Sequence, residues 1–122
     1  MKIGTDIVVI SRIEKSINKF GKKFLDRFLS EEEQKVATRT ESIAGYWGAK
    51  EAIAKALGCG IGAELCFHDI QIYKDKKGAP HFNLTAKAQA IHNISSSSLS
   101  IAHDGGFAIA TVVVTIAYEK RL

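Results

Sequence analysis

The chain has 122 residues and a net charge of +4, and its 46% hydrophobic and 25% charged residues are typical of a soluble globular protein with one core. No apolar run approaches the ~18 residues of a membrane span, and Asp6 interrupts the region where a signal peptide would be apolar. These features exclude a membrane-spanning protein. They predict a cytoplasmic protein that forms a single domain over residues 1–122.

The first quarter of the chain predicts a strand followed by a basic helix. Residues 2–10 are rich in β-branched residues, which favours a strand. A capping box of Ser11 and Glu14 predicts that a helix begins directly afterwards, and Gly21 is expected to break it. The charge excess of this segment indicates an anionic partner or a solvated helix face. The basic residues are Arg12, Lys15, Lys19, Lys22, Lys23 and Arg27.

The middle of the chain predicts two more helices. A second capping box, Ser30 with Glu33, begins a short helix, and residues 41–57 are good helix formers without proline. The long helix is expected to end in a loop at Gly58, Gly60 and Gly62.

The second half of the chain predicts two hairpins separated by a helix. In order, the elements are a strand over 67–75, a turn at Lys77 and Gly78, a strand over 79–84, a helix over 86–93 capped by Thr85, a serine connector over 95–98 and a hairpin of 99–103 with 107–119. The order strand, helices, hairpin, helix, hairpin predicts an α+β fold with a largely antiparallel sheet packed against helices.

Asp6 is the first candidate site residue. In a strand, Gly4, Asp6 and Val8 share one face. Burying an unpaired carboxylate there costs several kcal/mol or shifts its pKa strongly, so Asp6 must meet a cation, hydrogen-bond donors or water. The alternative is an acid at the end of a strand that reaches solvent or caps a helix.

The long helix carries three further candidates. On a helical wheel, Glu51 and Lys55 lie side by side at the apolar edge, as an (i, i+4) pair that is worth only a few tenths of a kcal/mol on a surface. Lys50 falls inside the apolar arc, where a lysine either extends its ammonium to solvent or meets an anion across an interface. The alternative is that Glu51 and Lys55 form an ordinary surface ion pair without a functional role.

The end of the chain carries one candidate histidine. His103 lies at the end of a strand before a glycine-rich turn, where it can reach a ligand or simply bond Asp104. The other histidines are interpreted as ordinary strand-edge or helix-surface residues. Cys59 and Cys66 form no CxxC pair and have no histidine at metal spacing, so small buried thiols are favoured over a disulfide.

Four motifs occur in order along the chain. They are Gly4-Thr5-Asp6, WGAKEAIAKALG over 47–58, DIQIYKDKKGAP over 69–80, and SIAH over 100–103. Together they resemble the bacterial holo-[acyl-carrier-protein] synthases of the 4′-phosphopantetheinyl transferase superfamily, over nearly the whole chain. The resemblance implies the fold of that superfamily. It also implies transfer of 4′-phosphopantetheine from coenzyme A to a serine of apo acyl carrier protein, for fatty acid biosynthesis, with release of adenosine 3′,5′-bisphosphate.

The resemblance also implies the chemistry of the site. Asp6 and Glu51 would hold Mg²⁺, which prefers oxygen ligands and completes its shell with water and substrate phosphates. Glu51 would also act as general base, directly or through a metal-bound water, on the carrier's serine. Lys55 would neutralise phosphate charge and assist the leaving group.

Contacts to coenzyme A follow from the same resemblance. His103 would contact the 3′-phosphate, and Lys50 would be a further phosphate contact. Two departures affect this part: many relatives have Arg or Lys where Tyr46 stands, and Ser or Thr where Ala102 stands. The loop that would approach the nucleotide contains Gly58, Gly60 and Gly62.

The resemblance further implies a homotrimer with shared sites, in which Asp6 and Glu51 come from one chain and His103 from its neighbour. The basic segment would dock the acidic recognition helix of the carrier, with neither nucleic acid nor a membrane as partner. The docking residues would be Arg12, Lys15, Lys22, Lys23 and Arg27.

One alternative from another class is a non-catalytic basic module that binds RNA or an acidic protein. An RNA module needs exposed aromatic rings or a base-reading motif. The aromatic residues Phe20, Phe24 and Phe28 instead recur every four residues, which is typical of a core stripe.

Overall fold

The computed structural model describes residues 1–118. The predicted elements occur in the predicted order, with two differences: a further helix follows Gly21, and residues 67–69, predicted as the start of a strand, form a 3₁₀ helix. The elements are β1 (Lys2–Val9), α1 (Ile10–Phe20), α2 (Lys22–Phe28), α3 (Glu31–Val36), α4 (Thr40–Ala56), a 3₁₀ helix (Phe67–Asp69), β2 (Ile70–Lys74), β3 (Pro80–Leu84), α5 (Ala86–His92), β4 (Ile94–Asp104) and β5 (Phe107–Ile116). None of the helices within this described part has the length and hydrophobicity needed to span a bilayer.

The strands form two antiparallel sheets. β5 is the central strand of a three-stranded sheet with the order β1-β5-β4, and β2 pairs with β3 in a separate two-stranded sheet. The predicted α+β class, with antiparallel strands packed against helices, is confirmed. The predicted sheet is however divided in two.

Helix α4 packs directly onto the three-stranded sheet. A Cβ atom added to Gly4 would lie 1.9 Å from the carbonyl oxygen of Ala52, and one added to Gly45 would lie 2.7 Å from Cγ2 of Ile101. Only glycine therefore allows the strand and the helix to approach this closely. Asp6 follows Gly4 on the same face of β1, so the close packing brings its carboxylate alongside α4.

Two predicted N-caps are present. Ser30 Oγ accepts a hydrogen bond from the backbone N–H of Glu33 at 3.2 Å, and Glu33 Oε1 accepts from the Ser30 N–H at 2.8 Å. Thr85 Oγ1 accepts from the Ala88 N–H at 3.3 Å at the start of α5. Both caps satisfy N–H groups that the first turn of a helix leaves without an intrahelical partner.

The predicted capping box at Ser11 and Glu14 is wrong. Helix α1 begins at Ile10 with no side-chain cap, so Ser11 already lies within its first turn. The N–H of Ile10 donates instead to the carbonyl oxygen of Gly106 in the β4–β5 turn, at 3.0 Å. A tertiary contact therefore supplies the partner that a capping side chain would supply, and the helix starts directly from the strand.

The predicted serine connector over 95–98 is also wrong, because these residues belong to β4. They pair with the end of β5, and Ser95 Oγ donates to the Thr115 carbonyl oxygen at 3.0 Å. Pairing with the β-branched residues of β5 overrides the weak strand preference of serine. β5 ends at Ile116, and the predicted strand end at Glu119 lies outside the described residues.

The aromatic stripe is only partly confirmed. Phe24 and Phe28 are buried in the core, where their rings contact Trp47, and Phe28 also contacts Phe67. Phe20 is 52% exposed, because a glycine with positive φ between α1 and α2 changes the direction of the chain after it. The repeat of four residues is thus interrupted by the break that the sequence predicts at that glycine.

Both cysteines are free thiols, and the prediction that both are buried is wrong. Cys59 is half-buried, whereas Cys66 is exposed at the start of the 3₁₀ helix. There the N–H and the thiol of Cys66 donate to Asp69 Oδ2 at 3.0 and 3.1 Å. Cys66 acts as a cap of this turn, which keeps it at the surface.

Candidate active site

Asp6 on β1 lies next to Lys55 on α4. Lys55 Nζ donates to Asp6 Oδ1 at 2.7 Å and to the carbonyl oxygen of Thr5 at 3.3 Å. Within residues 1–118, Lys55 forms its ion pair with Asp6 and none with Glu51, its predicted neighbour on the helix. The side chains of Asp6 and Lys55 are 15% and 53% exposed, so this pair is open to solvent and to a ligand.

Asp6 and Glu51 line one cavity and influence each other electrostatically. Burial raises the pKa of Glu51, and the charge of Asp6 raises it further, while Lys55 acts in the opposite direction. Gly48 allows α4 to lie close to β1 next to Asp6, since an added Cβ would lie 3.1 Å from Val8 Cγ2. The structure therefore places two carboxylates where a bound cation would relieve their repulsion. A donor set of oxygen atoms fits Mg²⁺.

The cavity beside the carboxylates has a volume of about 360 Å³ and lies between β1, α1, α2 and α4. Phe24 and Trp47 form part of an apolar wall, while Arg12 and Ser16 contribute polar groups from α1. Arg12 was predicted to dock a carrier protein, and the structure brings it to the same cavity as Asp6. Ser16 was missed by the sequence analysis, although it lies one helical turn after Arg12.

Lys50 is not a phosphate contact, and that prediction is wrong. Its side chain is fully buried, and Nζ donates to Glu33 Oε1 at 2.9 Å and to the carbonyl oxygens of Phe28 and Phe67 at 2.6 and 3.1 Å. All three donor positions of the ammonium are used inside the protein. Burial lowers the pKa of Lys50, while Glu33 opposes that shift. Lys50 is a structural residue that joins α2, α3 and the 3₁₀ helix to α4.

His103 lies at a different cavity from Asp6. A space of about 190 Å³ is lined by His103, Tyr46 and Lys74, together with other residues of α4, β3 and β4. His103 pairs with Ala108 and Asp6 with Ala110 on either side of β5, which separates their Cα atoms by roughly 12 Å. One chain therefore presents Asp6 and His103 at two separate places.

Tyr46 and Lys74 line this second cavity with His103, and they bear on the predicted contact to the 3′-phosphate. Tyr46 is 2% exposed, and its hydroxyl has no hydrogen-bond partner among residues 1–118. Burial raises its pKa, so it is a neutral donor at this position. Lys74 at the end of β2 adds a cation that the sequence analysis missed. Only the alternation of β2 could have indicated it, and many exposed lysines share that pattern.

The glycine loop after α4 is present as predicted. Gly58 and Gly60 have φ of 78° and 65°, a conformation that other residues rarely adopt, while Gly62 shows no such requirement. A Cβ at any of the three positions would meet open space. A role of this loop at a nucleotide stays a prediction.

The basic segment is distributed over α1 and α2. Lys23 and Arg27 line a mostly apolar groove of about 250 Å³ with Phe20. Lys22 Nζ donates to Asp26 Oδ1 at 3.0 Å, so its charge is partly neutralised. The docking residues Arg12, Lys15, Lys22, Lys23 and Arg27 thus belong to two consecutive helices, and their role stays a prediction.

Comparison with known proteins identifies the class. Residues 2–112 match the model of the 4′-phosphopantetheinyl transferase superfamily. The chain belongs to that superfamily. It is 58% identical over 114 residues to the holo-[acyl-carrier-protein] synthase of Sulfurovum sp., covering 93% of this chain and 96% of the relative. The corresponding synthase of Nitratiruptor sp. is 53% identical, with 92% and 97% covered.

Solved structures give the same result. The Helicobacter pylori holo-[acyl-carrier-protein] synthase in complex with coenzyme A is 52% identical, with a TM-score of 0.90 over 93% of this chain and 99% of that chain. The Bacillus anthracis synthase in complex with coenzyme A (3′,5′-ADP) is 38% identical, with a TM-score of 0.81 over 95% and 96%. The resemblance inferred from the four motifs is confirmed, and so is the predicted class of enzyme.

Proposed function

We propose that this chain transfers the 4′-phosphopantetheine arm of coenzyme A to a serine of apo acyl carrier protein, for fatty acid biosynthesis. The observation that carries the proposal is the group formed by Asp6, Glu51 and Lys55 beside one cavity. Two carboxylates and a solvent-accessible ammonium suit a reaction that depends on charge neutralisation and positioning. The similarity to synthases solved with coenzyme A supports the same substrate here.

Asp6 and Glu51 would hold Mg²⁺, with water and substrate phosphates as its other ligands. When bound, Mg²⁺ neutralises charge on the pyrophosphate and between the two carboxylates. Glu51 lines the cavity as a carboxylate, and a carboxylate positioned within hydrogen-bond reach of a hydroxyl can act as general base. Glu51 accepts the proton of the serine hydroxyl, and the serine oxygen attacks the phosphorus next to pantetheine. The bond from that phosphorus to the bridging oxygen breaks, which releases adenosine 3′,5′-bisphosphate.

Lys55 is exposed enough, and has enough hydrogen-bond donors, to contact a substrate phosphate. It is 53% exposed, and its ammonium has three donor positions, of which Asp6 and the Thr5 carbonyl oxygen occupy two. Lys55 therefore donates to a phosphate oxygen without first leaving Asp6. This neutralises charge that develops on the leaving group.

The site is completed by a second copy of the chain, in a homotrimer. Support comes from the outer face of the three-stranded sheet, where four apolar side chains are 43 to 67% exposed. An exposed sheet face normally carries polar residues, and a contiguous apolar patch indicates an interface. The four residues are Ile3, Ile7, Phe107 and Ile109. A neighbouring chain would bring its His103, with Lys74, to the 3′-phosphate of coenzyme A.

The carrier protein would dock on α1 and α2. Lys23 and Arg27 flank the groove beside Phe20, so this surface presents cations around an apolar centre. Such a surface complements an amphipathic acidic helix. Arg12 lines the cavity that contains the carboxylates, where it would orient the incoming serine segment.

Mass spectrometry of apo carrier protein incubated with coenzyme A and Mg²⁺ tests the reaction. Wild type should add one phosphopantetheine to the carrier, and Asp6→Asn should be at least about a hundredfold slower because one oxygen ligand loses its charge. Glu32→Gln, which changes an exposed acid on α3, is the matched control and should retain full activity. Absence of a mass gain with wild type would refute the enzymatic proposal, and full activity of Asp6→Asn would refute the metal assignment.

Mixing two inactive variants tests the shared site. Asp6→Asn and His103→Ala chains are refolded together, and roughly a quarter of the sites should then combine an intact Asp6 with an intact His103. Activity should return on mixing, and light scattering should give the mass of three chains. If the mixture stays as inactive as its components, the shared site is wrong.

Charge reversal tests the docking surface. Lys23→Glu should lower kcat/KM for the carrier protein and make it less dependent on salt, while KM for coenzyme A is unchanged. Lys87→Glu on α5 is the control, since it changes the net charge equally at another exposed position. Equal effects of the two variants would indicate a general charge effect and not a docking surface.

A further inference from the structure

Three side chains with metal-binding atoms meet outside the candidate active site. Cys59 and Glu64 lie in the loop after α4, and His92 is the last residue of α5. One ligand atom of each lies within 4.8 Å of the others, and within residues 1–118 this is the only such group of three. The sequence gives no sign of it, because 28 residues separate Glu64 from His92.

The protein itself leaves these atoms largely unused. Nε2 of His92 is buried and has no hydrogen-bond partner among the described residues. Buried polar nitrogen atoms are normally paired, so an unpaired one indicates a missing partner. Within the described part of the chain, Cys59 Sγ has only a long contact of 3.8 Å to the Ala54 carbonyl oxygen. Cys66, in contrast, has a carboxylate partner at 3.1 Å and lies outside the group.

We propose that Cys59, Glu64 and His92 bind one zinc ion, with water as the fourth ligand. One thiolate, one imidazole and one carboxylate form a mixed donor set that suits Zn²⁺ and is unsuited to Mg²⁺. In a tetrahedral zinc site, neighbouring ligand atoms are roughly 3.5 Å apart. The side chains must therefore close by about 1 Å, and Glu64, which is exposed, is free to rotate.

The site has a structural consequence for the glycine loop. Cys59 and Glu64 stand on either side of the middle of the loop, and His92 is the last residue of α5. A bound ion would therefore connect the loop to α5. Gly58 and Gly60 allow the loop backbone its positive φ values and give it freedom that the ion would remove. The zinc site would thus fix the loop relative to α5.

Cobalt substitution tests the site, because Co²⁺ occupies zinc sites and thiolate ligation gives a charge-transfer absorption band. Metal-free wild type is titrated with Co²⁺ in excess Mg²⁺, which occupies sites made of oxygen ligands alone. We expect one equivalent to bind with a thiolate band, and Zn²⁺ to displace it and raise the temperature of thermal unfolding. If folded wild type shows no thiolate band, the proposal is wrong.

Variants then assign the ligands. Cys59→Ser should abolish the thiolate band, and Glu64→Gln, at an exposed position that leaves the fold intact, should weaken Co²⁺ binding by at least about tenfold. Cys66→Ser and Asp6→Asn are the matched controls and should leave the band and the affinity unchanged. Retention of the band by Cys59→Ser, unchanged affinity of Glu64→Gln, or loss of the band in Cys66→Ser would each overturn the assignment.

Discussion

Helix α4 carries two lysine–carboxylate pairs of nearly equal length in opposite surroundings. Lys50 Nζ lies 2.9 Å from Glu33 Oε1, and both side chains are fully buried. Lys55 Nζ lies 2.7 Å from Asp6 Oδ1, with the two side chains 53% and 15% exposed. The N–O distances do not distinguish the two pairs. Their burial does, because the Lys50 pair is closed off inside the protein, whereas the Lys55 pair is accessible to a substrate.

The buried pair is complete within the chain. Glu33 accepts from Lys50 and the Ser30 N–H through Oε1, and from the Ile72 N–H through Oε2. Two buried charges are tolerated only when such hydrogen bonds compensate for the loss of water. The exposed pair keeps part of its hydration, and within residues 1–118 one donor position of Lys55 has no protein partner. The comparison teaches that Lys55, the proposed catalytic lysine, has the less complete set of hydrogen-bond partners.

The largest effect is expected from breaking the buried pair. Lys50→Met leaves the Glu33 carboxylate buried without its cation, which should lower the free energy of unfolding by about 3–5 kcal/mol. Urea denaturation measures this value. Lys50→Met combined with Glu33→Gln should recover part of the loss, since the uncompensated charge is gone. A loss below about 1 kcal/mol for Lys50→Met would contradict the structural role of the pair.

Glu51→Gln should separate catalysis from stability. We expect the transfer rate to fall by about a hundredfold to a thousandfold, which corresponds to about 2.7–4 kcal/mol in the barrier. The thermal unfolding temperature at pH 8 should stay the same or rise. Burial and Asp6 raise the pKa of Glu51, so its ionised form is unfavourable in the folded protein above that pKa. A strong drop in the unfolding temperature would assign Glu51 a structural role instead.

Lys55→Met should have a smaller effect of the same kind. A charge-assisted hydrogen bond to phosphate is worth about 1.5–3 kcal/mol, so kcat should fall by about tenfold to a hundredfold. The free energy of unfolding should change by less than about 1 kcal/mol, because the pair with Asp6 is half-exposed. Lys87→Met is the control for loss of one exposed positive charge. Equal losses of stability in Lys50→Met and Lys55→Met would remove the distinction between the two pairs.

The smallest effect concerns Asp69, a carboxylate that is held by neutral donors. The Cys66 N–H and thiol and the Thr85 hydroxyl lower the pKa of Asp69. A lowered pKa contributes stability above the unfolded value of about 3.9, and this is lost as pH falls through the folded pKa.

Asp69→Asn tests this contribution. The variant should lose about 1 kcal/mol at pH 7 and show a shallower fall in stability below about pH 4 than wild type does. Urea denaturation at several pH values measures both quantities. Parallel curves for the two proteins would show that Asp69 does not contribute to acid sensitivity.

Much of the fold was predictable because its signals are local. The caps at Ser30 and Thr85 and the glycine loop depend on residues close in sequence, and the structure contains them. The serine strand was not predictable, because it forms only by pairing with β5. The start of α1 depends in the same way on a carbonyl group 96 residues away, at Gly106.

The sequence by itself determined the fold class, most of the element order and the family, and it indicated Asp6 and Glu51 as candidates, because short motifs and periodicity carry that information. Only the tertiary structure decided that Lys50 is buried against Glu33 while Lys55 crosses to Asp6. Helical periodicity places a lysine on a face of the helix, but it does not specify what packs against that face. The partners lie 17 and 49 residues away, and the packing of α4 against other elements brings them into contact.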